Sequence, residues 1–301
     1  MSSLFKRIMV PLDGSRLAES ILPVVTTFAR CLHVKVSLLH IIEERAPQTI
    51  HGYPHLTSSE EAEKYIVSVA QGIEGDIEVE QHVHGTEEHD VALSIARHAE
   101  ELDADMIALC THGRSGLRRV VSGSIAQQVL RQVRVPVILA RPDMRAPSSL
   151  KTLMVPLDSS TGEGEVAIPI ASEIARVCGA TLHVVSVVPT VATLTGDELA
   201  AARLLPNATA ATLDTEADAQ VRPYLERLIQ QLVSEGIKAQ GEIRRGNTIQ
   251  ALLKEATQNK ADLIVVATHG RAGLGALFIG SIAAGLVSKV NQPILLMRIA
   301  E

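Results

Sequence analysis

Two stretches of this chain place glycine, arginine and serine at one spacing. Residues 111–124 read THGRSGLRRVVSGS and residues 268–281 read THGRAGLGALFIGS. In each, a glycine (Gly113, Gly270) precedes an arginine (Arg114, Arg271). Nine residues separate it from a second glycine (Gly123, Gly280), and a serine follows (Ser124, Ser281) before an isoleucine (Ile125, Ile282). Each phrase leaves an apolar run and enters a segment of helical periodicity. The first N–H groups of such a helix lack partners within it, and together with the helix dipole they attract an anion, typically phosphate. Glycine lets the main chain approach a ligand and adopt positive φ. The serine hydroxyl adds a hydrogen bond, and the arginine stands where it can approach a phosphate. No Gly-Lys-Ser or Gly-Lys-Thr follows, so this is not a Walker-type loop. The competing reading is that the glycines only shape a tight strand-to-helix connection.

A second chemical group recurs with the first. Asp13 in IMVPLDGS and Asp158 in LMVPLDSS each follow Pro-Leu at the end of an apolar run, with Pro11 and Pro156 at matching positions. In an open α/β sheet, ligands bind at the carboxyl ends of the strands where strand order reverses. A carboxylate there can accept a hydrogen bond from a base amino group or a ribose hydroxyl. It can also serve as the N-cap of the next helix, and the two roles are compatible.

These elements belong to a repeat. DADMIALCTHGRSGL (103–117) matches KADLIVVATHGRAGL (260–274), and RVPVILARP (134–142) matches NQPILLMRI (291–299), in the same order in both halves. Asp13 and Asp158 are 145 residues apart and Gly113 and Gly270 are 157 apart, so the second copy carries 12 extra residues. Repeats this long read as tandem domains, 1–143 and 149–301, joined by the Pro- and Ser-containing RPDMRAPSSLK. The surplus falls in the Ala- and Thr-rich stretch 190–222, read as a cover near the mouth of the second site with a short helix at 197–205.

Within the first copy the periodicities alternate. A strand at 6–12 leads to a helix at 16–31 and a strand at 34–42. A polar loop through RAPQTIHGYPH precedes a helix at about 59–72. A strand at 77–83, a helix at 88–101, a strand at 106–110, a helix from 124 and a fifth strand in PVILA complete it. This β-α alternation predicts an α/β fold: two tandem open-sheet domains, each a five-stranded parallel sheet with helices on both faces. The two fifth strands are apolar edges, a hazard that pairing them with each other would remove. An intramolecular pseudo-dimer is therefore expected, with a homo-oligomer as a further step.

Bulk composition agrees. The chain has 301 residues, 46% apolar and 2% aromatic with no Trp, so its cores are Val, Ile, Leu and Ala. The net charge of -6 weighs against a nucleic-acid partner. No apolar run approaches the ~18 residues of a membrane span. Three cysteines without a CxxC speak against a disulfide framework. MSSLFKRIMVPLDGS has no secretory apolar stretch, and a cytoplasmic protein is expected.

Assembled, the landmarks resemble the universal stress protein family in a tandem two-domain form, over nearly the whole chain twice. ATP-binding members of that family carry G-x2-G-x9-G-[S/T] after strand four. Here the last three elements are kept, while Cys110 and Ala267 stand at the leading glycine. The resemblance implies a Rossmann-like, adenine nucleotide alpha hydrolase-like fold. It implies ATP or another adenine nucleotide, with Mg as an optional companion. The nucleotide would lie between the end of strand one and the glycine loop. The residues implied are Pro11, Asp13, Ile41, Gly113, Arg114, Gly123, Ser124 and Ile125. In the second copy they are Pro156, Asp158, Val187, Gly270, Arg271, Gly280, Ser281 and Ile282.

Neither copy shows paired carboxylates for a metal or a positioned base, so a regulatory binding protein with an unidentified protein partner is expected. The alternatives are a slow ATPase or nucleotidyl-transfer enzyme, and a structural pseudo-dimer with empty sites. His82, His84 and His89 are read as strand-end histidines in preference to metal ligands. His112 and His269 are read as loop supports, and Cys110 as a small hydrophobe.

Overall fold

The computed structural model describes residues 4–73, 75–111, 125–157, 163–188, 190, 207–269 and 281–299, with the side chains of 163–164, 207–220, 269, 281 and 299 left aside. The chain divides into two compact units, residues 1–150 with 268–301, and residues 151–267. Repeat and compact unit are therefore different divisions, because the last 34 residues cluster with the first copy.

In the first unit β1 (Arg7–Pro11) is central and apolar, with Ile8, Met9 and Val10 fully buried. The predicted helix at 16–31 forms as two. α1 (Arg16–Glu19) ends at Ser20, and α2 (Leu22–Leu32) begins with Pro23 in its first turn. Proline lacks the N–H that a continuous helix would need there, but at a helix start that N–H has no partner anyway. β2 (Lys35–Glu43) follows, buried over seven consecutive residues. The predicted polar loop contains a two-residue hairpin, β3 (Thr49–Ile50) against β4 (Tyr53–Pro54). Its tip is His51 and Gly52 with φ of 50° and 85°, the double positive φ of a tight hairpin turn that favours X-Gly.

α3 (Ser59–Gln71) is capped by Ser58, whose Oγ accepts the Glu61 N–H. β5 (Val79–Glu88) runs five residues past its predicted end, because β2 continues to pair with it as far as Glu43 opposite Glu88. α4 (Val91–Glu101) starts after the Asp90 cap. β6 (Met106–Cys110), α5 (Ile125–Gln132) and β7 (Val137–Ala140) close the copy. The parallel order is β5-β2-β1-β6-β7. Right-handed crossovers in that order place α2 and α3 on one face and α4 and α5 on the other, and α4 packs against α5. The same unit contains α9 (Ser281–Val287) and β12 (Ile294–Ile299). β12 runs antiparallel to β7, with Leu295 opposite Ile138. The nearly buried Arg141 secures this junction, donating to the Ser288 carbonyl and to Asn291 Oδ1, each at 3.0 Å.

The second unit repeats the order with β8 (Thr152–Leu157), α6 (Ala167–Cys178), β9 (Thr181–Val188), α7 (Asn207–Ser234), β10 (Lys238–Arg245), α8 (Thr248–Gln258) and β11 (Leu263–His269). Its parallel strands run β10-β9-β8-β11. The segment 197–205, read as a short helix, lies outside the described residues. α7, beginning just after it, is 28 residues long and contains Pro223. It lies so close to β10 that a Cβ on Gly241 would meet Leu225 and Ile229 at 2.9 Å.

One aspartate per copy staples the sheet where the first strand begins. Asp105 Oδ2 accepts the N–H groups of Lys6 at 2.6 Å and Arg7 at 3.0 Å. Asp262 Oδ2 accepts those of Lys151 at 2.8 Å and Thr152 at 2.9 Å. Both precede the fourth strand of their copy, at the Asp shared by DADM and KADL.

Candidate functional site

Strand order in the first unit reverses between β1 and β6, which makes the ends of those strands the crevice of an open α/β sheet. Leu12 continues the pairing of β1 by donating its N–H to the Leu39 carbonyl at 2.8 Å. Asp13 follows at the turn. Its Oδ1 accepts the Ser15 N–H at 2.9 Å and the Ser15 hydroxyl at 2.6 Å, and Ser15 Oγ in turn accepts the Ala18 N–H at 3.1 Å. The helix cap is thus Ser15, not Asp13. Asp13 holds the capping residue, and this leaves Oδ2 facing outward, 3.7 Å from His51 Nε2. Between them Gly14 sits at φ +89°, with Leu56 packed where a Cβ would be, 3.0 Å away.

Three strands bring polar groups to this point. His40 of β2 is fully buried and donates its Nδ1–H to the Leu12 carbonyl at 2.8 Å. Burial holds its pKa below the ordinary histidine value, opposed in part by that hydrogen bond. With Nδ1 protonated, Nε2 carries the lone pair. At the end of β6, Cys110 Sγ lies 3.1 Å from Ser20 Oγ. Burial first, and then the negative charge of Asp13, push its pKa up to about 11. A thiol held protonated is a weak nucleophile, in keeping with the reading of Cys110 as a small hydrophobe. Tyr65 of α3 packs edge-on against His40, with ring centroids 6.2 Å apart. Its hydroxyl is pushed above its usual pKa by burial and by the charges of Glu19 and Asp13.

Of the predicted site residues, the structure places Pro11 at the end of β1, Asp13 at the turn after it and buried Ile41 on the neighbouring β2. Ile125 opens α5 and is exposed. In the second copy Pro156 lies near the end of β8, opposite Val185, and Val187 lies on β9. Ser281 and Ile282 open α9. Gly113, Arg114, Gly123, Ser124, Asp158, Gly270, Arg271 and Gly280 lie outside the described residues, as does His112. Sequence reasoning missed His40, His51, His55 and Tyr65. For His51 the signal was present, since Ile-His-Gly-Tyr is an apolar pair around an X-Gly turn. Among the described residues no group of three or more His, Cys, Asp or Glu side chains could hold a metal ion, and no helix is long and apolar enough to cross a membrane.

The architecture is that of an open, mostly parallel α/β protein with a carboxylate at its switch point. Comparison with known proteins gives this a family. The universal stress protein family matches residues 4–141 and again residues 149–298, and the chain belongs to it as a tandem pair. A universal stress protein of Methanocaldococcus jannaschii is 26% identical over 158 residues, covering 47% of this chain and 98% of that protein. The crystal structure of a universal stress protein from Archaeoglobus fulgidus superposes with a TM-score of 0.72 at 21% identity, covering 99% of both chains. A putative universal stress protein of Pseudomonas aeruginosa gives a TM-score of 0.61 at 17% identity, covering 98% of this chain and 93% of that one. These structural likenesses establish the fold.

Proposed function

We propose that the protein is an adenine-nucleotide-binding regulator whose bound state is read by a protein partner. The ligand is ATP or a related adenine nucleotide. Its base and ribose meet Asp13 or Asp158 and the backbone of Ile41 or Val187. Its phosphates meet the N–H groups of the Gly113–Ser124 and Gly270–Ser281 phrases. Arg114 and Arg271 stand beside them, and Mg can accompany the phosphates. The observation that carries this reading is the placement of Asp13 at the β1–β6 switch point, with a glycine-spaced phrase standing in sequence between β6 and α5. The repetition of both elements in the second copy supports it. The reading is of binding, with no turnover assigned. Cytoplasmic residence and an internal pairing of the two copies belong to the same proposal.

Calorimetric titration of the full chain with ATP, ADP and AMP tests it, alongside identification of small molecules released on denaturation. Saturable binding is expected, and about 100 Kd of ligand would stabilise the fold by roughly 2.7 kcal/mol. The double variant Gly123→Val, Gly280→Val places a branched side chain where phosphate would lie and loses that binding. Absence of heat, of retained nucleotide and of thermal stabilisation with every adenine nucleotide would reject the proposal.

A further inference from the structure

The hairpin between β2 and α3 is docked on the first copy's candidate site at three points. His51 at its tip stands 3.7 Å from Asp13 Oδ2. His55, with its side chain 4% exposed, lies 3.8 Å from Glu43 Oε2 of β2. Leu56 packs on Gly14, the residue after Asp13. The His55 N–H donates to the Gln48 carbonyl at 3.1 Å and closes the base of the hairpin. Asp13 Oδ1 is already committed to Ser15. Oδ2, the oxygen left for a ligand, is therefore the one that His51 approaches.

We propose that the His51 hairpin is a proton-operated latch on the first copy alone: charged, His51 pairs with Asp13 and competes with the nucleotide's base or ribose for its carboxylate, and neutral, it releases it. This rests on the nucleotide reading above and adds to it a regulation that the second copy lacks. The second copy has no histidine between His183 and His269, so no equivalent group can act on Asp158 from its corresponding segment. Among the described residues, the charged and titratable groups around the latch include Asp13 after β1, Glu19 of α1, His40 and Glu43 of β2, His55 beside the hairpin, Tyr65 of α3 and Cys110 of β6. Burial disfavours the charged forms of His40 and Tyr65. His55 faces Glu43, and His51 is the imidazole that stands opposite the Asp13 carboxylate.

The test uses the full chain carrying Asp158→Ala, so that remaining binding reports the first copy. ATP is titrated at about pH 8 and about pH 5.5, on either side of the ordinary histidine value. His51→Asn removes the titrating ring, and Asn-Gly is a preferred pair for this turn, so the hairpin is retained. The phosphate groups of ATP titrate identically against both proteins, so the ratio of their affinities isolates His51. Acidification is expected to weaken binding by an additional factor of about three to five when His51 is present, the scale of a partly exposed ion pair. In the reciprocal Asp13→Ala chain, which reports the second copy, His51→Asn has no effect at either pH. Equal acid losses with and without His51 would overturn the latch while leaving the nucleotide reading intact. Absence of ATP binding to the Asp158→Ala chain at both pH values would overturn both for this copy.

Discussion

The proposed reading gives Asp13 two jobs on two oxygens, and the substitution Asp13→Asn separates them. Oδ1 receives two hydrogen bonds from Ser15, at 2.9 and 2.6 Å, and through Ser15 it supports the cap of α1. An asparagine carbonyl oxygen can take both of those bonds. The Ser15 N–H is an obligate donor, so the amide cannot turn its NH2 toward the turn without leaving that donor stranded. The NH2 must therefore face the ligand side, where it presents a donor to a base amino group or ribose hydroxyl that needs an acceptor. Loss of a hydrogen bond to a charged group costs about 1.5–3 kcal/mol, a weakening of about tenfold to a hundredfold in Kd. Asp13→Ala loses the ligand contact and also both turn bonds, for a further stability cost of about 1–2 kcal/mol. Calorimetry in the Asp158→Ala background reads the affinity, and denaturant unfolding reads the turn. Asn should keep near-native stability with weak binding, whereas Ala should lose both. An Asn variant that binds ATP as tightly as the parent chain would refute the assignment of Asp13 to the ligand.

Further outcomes follow from groups outside the crevice. Asp105→Ala and Asp262→Ala each strand two main-chain donors and should cost about 2–4 kcal/mol, with Asn at the same positions costing less because one oxygen still accepts; equal denaturant midpoints for Ala and Asn would contradict the staple. In the second unit Arg244 Nε donates to Glu255, whose carboxylate is wholly buried while the Arg244 side chain is 41% exposed. Arg244→Met therefore removes the cation from a buried carboxylate, leaving Asn259 Nδ2 at 2.9 Å among its remaining partners, and should cost about 3–5 kcal/mol. Glu255→Gln leaves an arginine that can reach water and should cost about 1–2 kcal/mol; local hydrogen exchange across β10 and α8 reads the difference, and the reverse order would disprove it. Lys35 and then Arg7 hold the Glu80 carboxyl down to about 2. Its stabilisation is complete above the ordinary carboxylate range and is lost as pH falls toward that lowered value. Glu80→Gln should accordingly cost at most about 1 kcal/mol at neutral pH, since the group is partly exposed, and nothing near pH 2; a penalty independent of pH would exclude this cause.

Much of the architecture was legible because burial writes itself into composition. The runs IMV, VSLLHII and MIAL could be read as central parallel strands, since both faces of such strands are covered and no alternation is needed. Asp13 was found by position, at the end of a buried strand and repeated 145 residues later. Its division of labour was not legible, because which residue caps α1 depends on one turn of backbone geometry that Asp-Gly-Ser does not specify. Periodicity persists across the break in 16–31 and so predicts one helix, although Pro23 marks the point where α2 begins. The hairpin at 49–54 leaves no periodic signal, because four paired residues are too few for a period to show. The staple role of Asp105 and Asp262 was invisible for a different reason. A carboxylate bonded to main-chain N–H groups about 100 residues away in sequence leaves no local pattern.

What the two copies share and what they exchange follows one rule. Backbone-directed groups persist, as with the Asp105 and Asp262 staples, while side chains that face one another change together at fixed positions. His84 lies opposite Ile41 and Arg244 opposite Val187, so the two occupy the same register. His98 and Glu255 each stand eight residues after the N-cap of their helix. In the first copy His84 and His98 meet ring to ring at 4.9 Å. In the second copy the same two positions carry an arginine–glutamate pair whose carboxylate alone is buried. An aromatic ring contact in one copy thus takes the place of an ion pair in the other. The same polarity holds at the sites, with His40 at the position of Ser186 and nine of the eleven histidines in the first copy. The two copies thus keep one scaffold twice while the imidazole side chains are concentrated in the first.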